Sequence, residues 1–307
     1  MAGWTTDAIP DLGGRRAIVT GANSGVGYQT ALQLAARGAT VVLACRSAER
    51  GAAALERLRA AAPAADASVG SLDLADLASV RAFAEAQRGA PLHILVNNAG
   101  VMALPRQTTA DGFETQFGVN HLGHFALTGL LLPNLLDAGS ARVVTLTSML
   151  AWLGRIRFDD LHGERRYRRW PAYSQAKVAN LIFAKELDRR VPEVVSVAAH
   201  PGYAATNLHQ VAPRLSGSKI REAFFGLGSK IYAQSDAAGA WPSLYAATAP
   251  DVAGGEAYGP RGLTQQRGRP TRVRTVGYAS GTEVGRRLWE VSEKLTGVSY
   301  PAKGREA

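Results

Sequence analysis

The sequence predicts an α/β fold, a doubly wound parallel sheet of about seven strands with helices on both faces. Three observations carry this. Short apolar runs rich in β-branched residues recur along the chain, separated by stretches with helical periodicity. The first run, Arg16-Ala17-Ile18-Val19-Thr20, stops at a glycine-rich turn that opens a helix. A later run ends in Asn97-Asn98-Ala99-Gly100, small and polar residues at the carboxyl end of a buried strand, where sheets of this kind bind ligands.

Gly21-Ala22-Asn23-Ser24-Gly25-Val26-Gly27 is the turn after the first strand. Its glycines have separate tasks: one permits the tight turn, one lets backbone approach a diphosphate, and one lets helix and strand pack closely. The following helix, Tyr28 to Arg37, points its free N–H groups and positive dipole end at that diphosphate. Gly38 is placed to end it in the left-handed conformation. With the second strand, Thr40 to Cys45, this makes a strand–turn–helix–strand unit for a dinucleotide. The end of the second strand selects which one. An acidic residue there would bond the adenosine ribose 2′-hydroxyl and repel a 2′-phosphate. Arg46 instead offers a planar fork suited to phosphate, and Ser47 can add a donor. NADP(H) is therefore expected over NAD(H). Cys45 reads as a core residue.

Ala52 to Ala60 reads as a helix, and Ala67 to Leu74 as a strand and its exit. Asp73 is placed there to meet the adenine, with Leu74 beside it, and Asp76 caps the next helix, Leu77 to Gln87. His93 to Val96 is the fourth strand. Asn98, Ala99 and Gly100 after it are small enough for a cofactor to lie against the backbone, while Asn97 could also link neighbouring strands. Phe113 to Leu136 contains a long helical stretch ending near Pro133, in which Asn120 is polar within an apolar pattern. His121 and His124 have no plausibly spaced third ligand, so no metal site is expected. Arg142 to Thr147 is the fifth strand, with Ser148 at its exit, and Arg155 to Trp170 reads as a basic surface loop.

Pro171 suits the start of a helix that runs from Ala172 to Arg189. That helix is apolar over much of its circumference, from Val178 to Leu187, so it is either fully buried or packed against another subunit. Val194 to Ala199 is the sixth strand, broken by His200-Pro201-Gly202, and a turn from Tyr203 to Thr206 follows. Leu208 to Gln234 has the composition of a mobile lid. Ala237 to Ala247 reads as a helix, Gly255 to Gly259 as the last strand, Gln265 to Arg274 as a basic loop, and Val284 to Leu295 as a final amphipathic helix. No repeat or linker interrupts the chain, so residues 1–307 read as one domain.

Tyr173-Ser174-Gln175-Ala176-Lys177 carries the chemistry. A tyrosine and a lysine four apart share one helix face. A free phenol, with a pKa of about 10, is a poor base at neutral pH, and a nearby ammonium lowers that value. The pair can then take a proton from an alcohol or give one to a carbonyl oxygen. The spacing alone also fits a solvated helix face.

Bulk composition narrows the setting. With 46% hydrophobic, 20% charged and 7% aromatic residues, the chain has enough apolar material for a sizeable core. Cys45 is the sole cysteine, which leaves no internal disulfide. Met1 to Pro10 lacks the features of a signal peptide, and no apolar run reaches the roughly 20 residues that span a bilayer. A cytoplasmic protein is expected. The net charge of +10 comes largely from Arg155–Arg169 and Arg261–Arg274, which lack the interleaved aromatics of a nucleic-acid platform and read as solvated loops.

Thr20-Gly21-xxx-Gly25-x-Gly27, Asn97-Asn98-Ala99-Gly100, Asn120, Ser148, Tyr173-xxx-Lys177 and Pro201-Gly202 fall in the order and spacing of the short-chain dehydrogenase/reductase family, over about residues 14–262. Ala44-Cys45-Arg46-Ser47 and Val119-Asn120-His121-Leu122-Gly123-His124-Phe125 look most like its retinol-dehydrogenase and WW-domain-oxidoreductase branch. The resemblance implies a single Rossmann domain and hydride transfer between a nicotinamide and a carbonyl or alcohol carbon. Tyr173 would be the acid or base, and Lys177 would lower its pKa and bind the nicotinamide ribose. Ser148 would donate to the carbonyl oxygen, and Asn120 would hold a relay water. Pro201, Gly202 and Thr206 would hold the carboxamide. Family members are usually dimers or tetramers joined by the tyrosine-bearing helix, so a homodimer or homotetramer is expected. The competing expectation is a binding protein that senses NADP(H) and turns nothing over; such sensors often lose the tyrosine or lysine, and this chain keeps all four positions.

Overall fold

The structure is a computed structural model, and it describes residues 3–202, 235–262 and 264–300. The lid expected at 208–234 and Thr206 lie outside the described residues.

Strands β1 Arg16–Thr20, β2 Thr40–Cys45, β3 Ala67–Ser71, β4 Ile94–Asn97, β5 Ala141–Leu146, β6 Val194–Ala199, β7 Ala257–Pro260 and β8 Pro270–Arg272 form one sheet in the order β3-β2-β1-β4-β5-β6-β7-β8. All neighbours are parallel except β7 and β8. The strand order reverses between β1 and β4, and the crevice at their carboxyl ends is where such sheets take ligands. Most strands are buried on both faces, which is why they read as continuous apolar runs and not as alternating ones.

Helices α1 Gly25–Ala36, α2 Ala48–Ala61 and α8 Asp236–Thr248 cover one face, through Leu34, Leu58 and Leu244. The other face carries α3 Leu77–Glu85, α5 Gly123–Leu130, α6 Leu132–Asp137 and α7 Arg169–Arg190, through Val80, Phe125, Leu135 and Phe183. A short α4, Thr115–Phe117, precedes α5, and α9, Thr282–Thr296, closes the described chain.

Several boundaries shift by a few residues, and four departures from expectation have a local reason. Helix α2 starts at Ala48, not Ala52, because Ser47 caps it by accepting the Arg50 N–H at 3.3 Å, and Gly51 lies inside the helix where Val69 leaves no room for a Cβ. Helix α1 takes in Gly25 to Gly27. The long helix expected between Phe113 and Leu136 is broken: Gly118–Leu122 is a π-helical turn, with the Gly123 N–H bonded to Gly118 O, and Pro133 begins α6 instead of ending a helix. The basic loop at 265–274 contains an eighth strand, three residues paired antiparallel at the sheet edge.

The apolar circumference of α7 is accounted for within the chain. Trp289 of α9 stacks on Phe183 with ring centroids 5.9 Å apart and meets Phe125 at 5.1 Å. His121 reaches Ser292 of the same helix at 2.9 Å, and Gly285 lies so close to Glu186 that a Cβ would collide with it. Of the two alternatives drawn from residues 178–187, burial within the chain is the one observed, and the apolar girth does not by itself call for a partner subunit.

Candidate active site

The site is assembled at the carboxyl ends of β1, β4 and β5. Helix α7 is fixed to the exit of β5 by three bonds: Thr147 Oγ1 donates to Lys177 O at 2.7 Å, and Leu146 O accepts Lys177 Nζ at 3.0 Å and Asn180 Nδ2 at 2.9 Å. Tyr173 and Lys177 are each 5% exposed. Lys177 Nζ lies 5.9 Å from the Tyr173 ring centroid, so the two do share one helix face. Ser148 caps a short 3₁₀ turn, Met149–Leu153, by accepting the Leu150 N–H at 3.2 Å. Its hydroxyl is near enough to the Tyr173 phenol to lower that group's pKa as a hydrogen-bonding neighbour.

Burial, not the ammonium, dominates the titration of this pair. Loss of hydration pushes the Tyr173 phenol from 10.0 up to about 12, against the opposing hydrogen bond from Ser148. It pushes Lys177 down from 10.5 to about 8. The net shift of Tyr173 is therefore upward and set by burial; Lys177 is not among its causes, its ammonium being directed to a backbone carbonyl. At neutral pH the phenol holds its proton.

A pH-dependent prediction follows from Lys177. Its folded pKa of about 8 lies below the ordinary 10.5, so the unfolded chain binds the proton more tightly. The stability cost is full below pH 8 and fades as pH rises toward 10.5. Lys177→Met is expected to raise the Tm of the ligand-free protein at neutral pH, by a margin that shrinks through that window. Leu146 O keeps Asn180 as a partner in the variant. Thermal melts across the window check this, and a margin independent of pH would contradict it.

Gly100 brings the cofactor-side loop to the pair. A Cβ there would lie 3.0 Å from Asn120 Oδ1 and 3.5 Å from Lys177 Nζ. The Asn120 side chain pairs with the Val101 backbone, accepting its N–H at 2.8 Å and donating to its carbonyl at 2.9 Å. Asn98 and Ala99 donate their backbone N–H groups to Thr20 Oγ1, both at 2.9 Å, and Asn98 Nδ2 donates to Thr20 O at 2.7 Å. Asn97 lies underneath and links β4 to α5 and β5 through Thr128 and Thr145.

The turn after β1 fits a dinucleotide. Gly21 and Gly25 have φ of +66° and +59°, left-handed values that favour glycine. A Cβ on Gly27 would sit 2.3 Å from Asn98 Nδ2 and 2.5 Å from Gly21 O, so α1 reaches the β4 loop only because the side chain is missing. Ser24 begins α1 without a side-chain cap bond, and no acidic residue stands in the first turn, which leaves the amide end open toward an anion. Asn23 and Val26 complete that turn, and Arg57 of α2 steadies it by donating to Asn23 O at 2.9 Å while lying over the Tyr28 ring. Arg46 is exposed and has no partner among the described residues.

Other expected positions are partly engaged. Asp73 accepts the Ala75 N–H at 2.9 Å, a turn within its own loop, and Leu74 is buried against Gly123. Gly202, with φ of +66°, donates its N–H to His200 Nδ1 at 3.3 Å next to Pro201, and the turn closes on the backbone of Gln266.

Sequence reasoning missed the apolar surround of Tyr173. Met102, Ala103 and Leu150 pack against the ring, and Trp170 meets it edge-on at 6.5 Å. Ala103 has φ of +52° and is held by donating its N–H to Gln116 Oε1 at 2.7 Å. Trp152, Leu153 and Trp170 are 47%, 77% and 45% exposed. The neighbouring arginines are largely engaged nearby: Arg165 with Asp159, Arg157 with Asp160, and Arg155 over Tyr278.

The short chain dehydrogenase family model matches residues 15–214, nearly two thirds of the sequence. The chain belongs to this family. Within it the chain falls in the retinol-dehydrogenase-like branch, and it is an oxidoreductase acting on alcohol or carbonyl groups. Retinol dehydrogenase 12 of Mus musculus is 39% identical over 304 residues, covering 98% of this chain and 92% of that protein. A crystal structure of an uncharacterized protein from Mycobacterium paratuberculosis superposes with a TM-score of 0.80 at 42% identity, covering 98% of this chain and all of the other. An NAD(P)-dependent gluconate 5-dehydrogenase from Beutenbergia cavernae, with bound NADP, superposes with a TM-score of 0.60 at 26% identity, covering 78% of this chain and 91% of that one. Among the described residues, no helix is long and apolar enough to cross a membrane.

Proposed function

We propose that this dehydrogenase uses NADP(H) and acts on a lipophilic carbonyl or alcohol. The observation that carries the proposal is the meeting of Ser148, Tyr173 and Lys177 with Asn120 and Gly100, beside an open glycine turn. When bound, the nicotinamide supplies or accepts the hydride. The chain does the rest. Tyr173, protonated at neutral pH, gives its proton to the carbonyl oxygen in reduction and takes one back in oxidation. Ser148 donates to the same oxygen, where negative charge develops. Lys177 would hold the nicotinamide ribose, and Asn120 would hold a water that links Lys177 to solvent as a proton relay. Gly21, Asn23, Ser24, Gly25, Val26 and Gly27 cradle the diphosphate, while Asp73 and Leu74 flank the adenine. Asn98, Ala99 and Gly100 lie along the cofactor, and Pro201, Gly202 and Thr206 secure the carboxamide.

Support for NADP(H) comes from Arg46, exposed and unpaired where a 2′-phosphate would lie, with the Ser47 proton beside it. Support for a lipophilic substrate comes from the apolar wall of Met102, Leu150 and Trp170, the exposed Trp152 and Leu153, and the likeness to a retinol dehydrogenase. The proposal includes a single domain over residues 1–307 and a cytoplasmic setting. It also includes self-association as a homodimer or homotetramer, on the family's habit and not on the apolar girth of α7, where Trp289 of α9 packs on Phe183.

A panel of ketones and aldehydes graded in apolar length, followed by NADPH absorbance, tests the substrate class. Each buried methylene is worth about 0.8 kcal/mol, so two or three added methylenes should raise kcat/KM at least about tenfold. A flat or falling series would reject the lipophilic assignment.

A further inference from the structure

His124 is wholly buried in α5, where it meets one partner a turn earlier in the chain and one distant in sequence. Its Nδ1 lies 2.9 Å from the backbone oxygen of Asn120, and its Nε2 lies 2.9 Å from Thr20 Oγ1. The proton positions follow from counting lone pairs. The Thr20 hydroxyl has two, and the N–H groups of Asn98 and Ala99 occupy both. Its own proton has two acceptors in reach, Val96 O at 3.4 Å and His124 Nε2 at 2.9 Å. With both lone pairs taken it can meet His124 only as donor, and the nearer nitrogen receives the proton, so Nδ1 carries the hydrogen that Asn120 O receives. The ring is neutral, consistent with burial holding its pKa near 4.

We propose that His124 is a positioning residue for the reaction, joining the cofactor-facing loop at Asn98–Gly100 to the turn that sets Asn120 beside Lys177. The reason lies in the backbone. Residues 118–122 form a π-helical turn, wider than an α-helix, in which a carbonyl can be served by a group other than the next turn's N–H. The His124 ring meets the Asn120 carbonyl there, and its other edge is anchored to the strand that opens the dinucleotide cleft. Asn120 and Gly100 then cannot move independently, although Asn120 itself reaches Lys177 only across the Gly100 position. The neutral Nδ1–H tautomer is essential, since a charged ring would put a second N–H against the amide-saturated Thr20 oxygen.

This rests on the reading of Asn120 and Lys177 as parts of the active site, and its tests separate the two. In ¹⁵N spectra of the ligand-free wild type, His124 is expected to show the neutral Nδ1–H tautomer at pH values from about 5.5 to 8. An Nε2–H tautomer, or a charged ring at the upper end, would overturn the proposal whatever the activity. His124→Phe keeps the ring bulk and loses both bonds. Amide hydrogen exchange at Asn98 and Ala99 is expected to quicken about tenfold or more. Per NADPH-binding site, kcat should fall about 10- to 100-fold, as for a misplacement of about 1 Å, with substrate KM changed less than about threefold. Unchanged exchange, or kcat per site equal to wild type, would overturn the proposal. Should that variant not fold, His124→Gln keeps an acceptor for Thr20 alone, and the same two readouts apply with intermediate losses expected and wild-type values contradictory. If Tyr173→Phe kept full turnover, the assignment of the active site would fail while the tautomer and exchange results stood.

Discussion

Tyr173→Phe is expected to lower kcat by about 10²- to 10⁴-fold, the range for a positioned general acid, while NADPH affinity stays within about threefold. The substitution removes one oxygen from a ring that Met102, Ala103 and Leu150 already hold in an apolar setting. No packing is lost, so the fold and the dinucleotide cleft remain. What goes is the proton donor. The phenol sits at about 12 in the ligand-free protein, so it is fully protonated at neutral pH and suited to act as the acid in reduction. The Ser148 hydroxyl opposes the burial effect and remains to bond the substrate oxygen, which would leave a small residual rate. Stopped-flow turnover together with NADPH fluorescence titration checks both halves. Wild-type turnover in the variant would remove Tyr173 from the mechanism.

Arg46→Glu is expected to weaken NADPH by about 100-fold or more and NADH by less than about threefold. The guanidinium has no partner among the described residues, so replacing it breaks no internal bond and should leave Tm nearly unchanged. A charge-assisted bond to phosphate contributes about 1.5–3 kcal/mol, and a carboxylate in its place adds repulsion. Arg57 is not a substitute, since it is tied to Asn23 O and the face of Tyr28. Dissociation constants for both dinucleotides measure this directly. Equal losses for the two would mean that Arg46 does not read the 2′-phosphate.

Strands β1, β2, β4, β5 and β6 were legible because parallel strands covered on both sides leave largely apolar runs in the sequence, whereas β3, at the sheet edge, is mostly not buried. β8 was not legible: Pro270-Thr271-Arg272 is short, polar and flanked by arginines, and pairing with β7 alone makes it a strand. The motif residues were legible because their spacing is local. Their electrostatics were not, because the direction of the Tyr173 shift depends on burial under loops distant in sequence. The same holds for the greasy circumference of α7. Its two explanations could not be separated until Trp289 and Gly285, about a hundred residues away, were placed against Phe183 and Glu186. Arg57 and Leu150 carry no signal in the sequence pattern, and His124 stood out only as part of a motif, since each gains its place from a partner in another element.

The central claim is that a protonated Tyr173 stands beside a nicotinamide that exchanges hydride with a carbonyl carbon. Single-turnover reduction with NADPH deuterated at the transferable C4 position, read by mass spectrometry, tests it most directly. The account predicts an alcohol product carrying one deuterium on the former carbonyl carbon, formed by the wild type and lost with Tyr173→Phe. Tight NADPH binding with no label reaching any carbonyl compound in a broad panel, or labelled product formed equally well without the phenol, would contradict it.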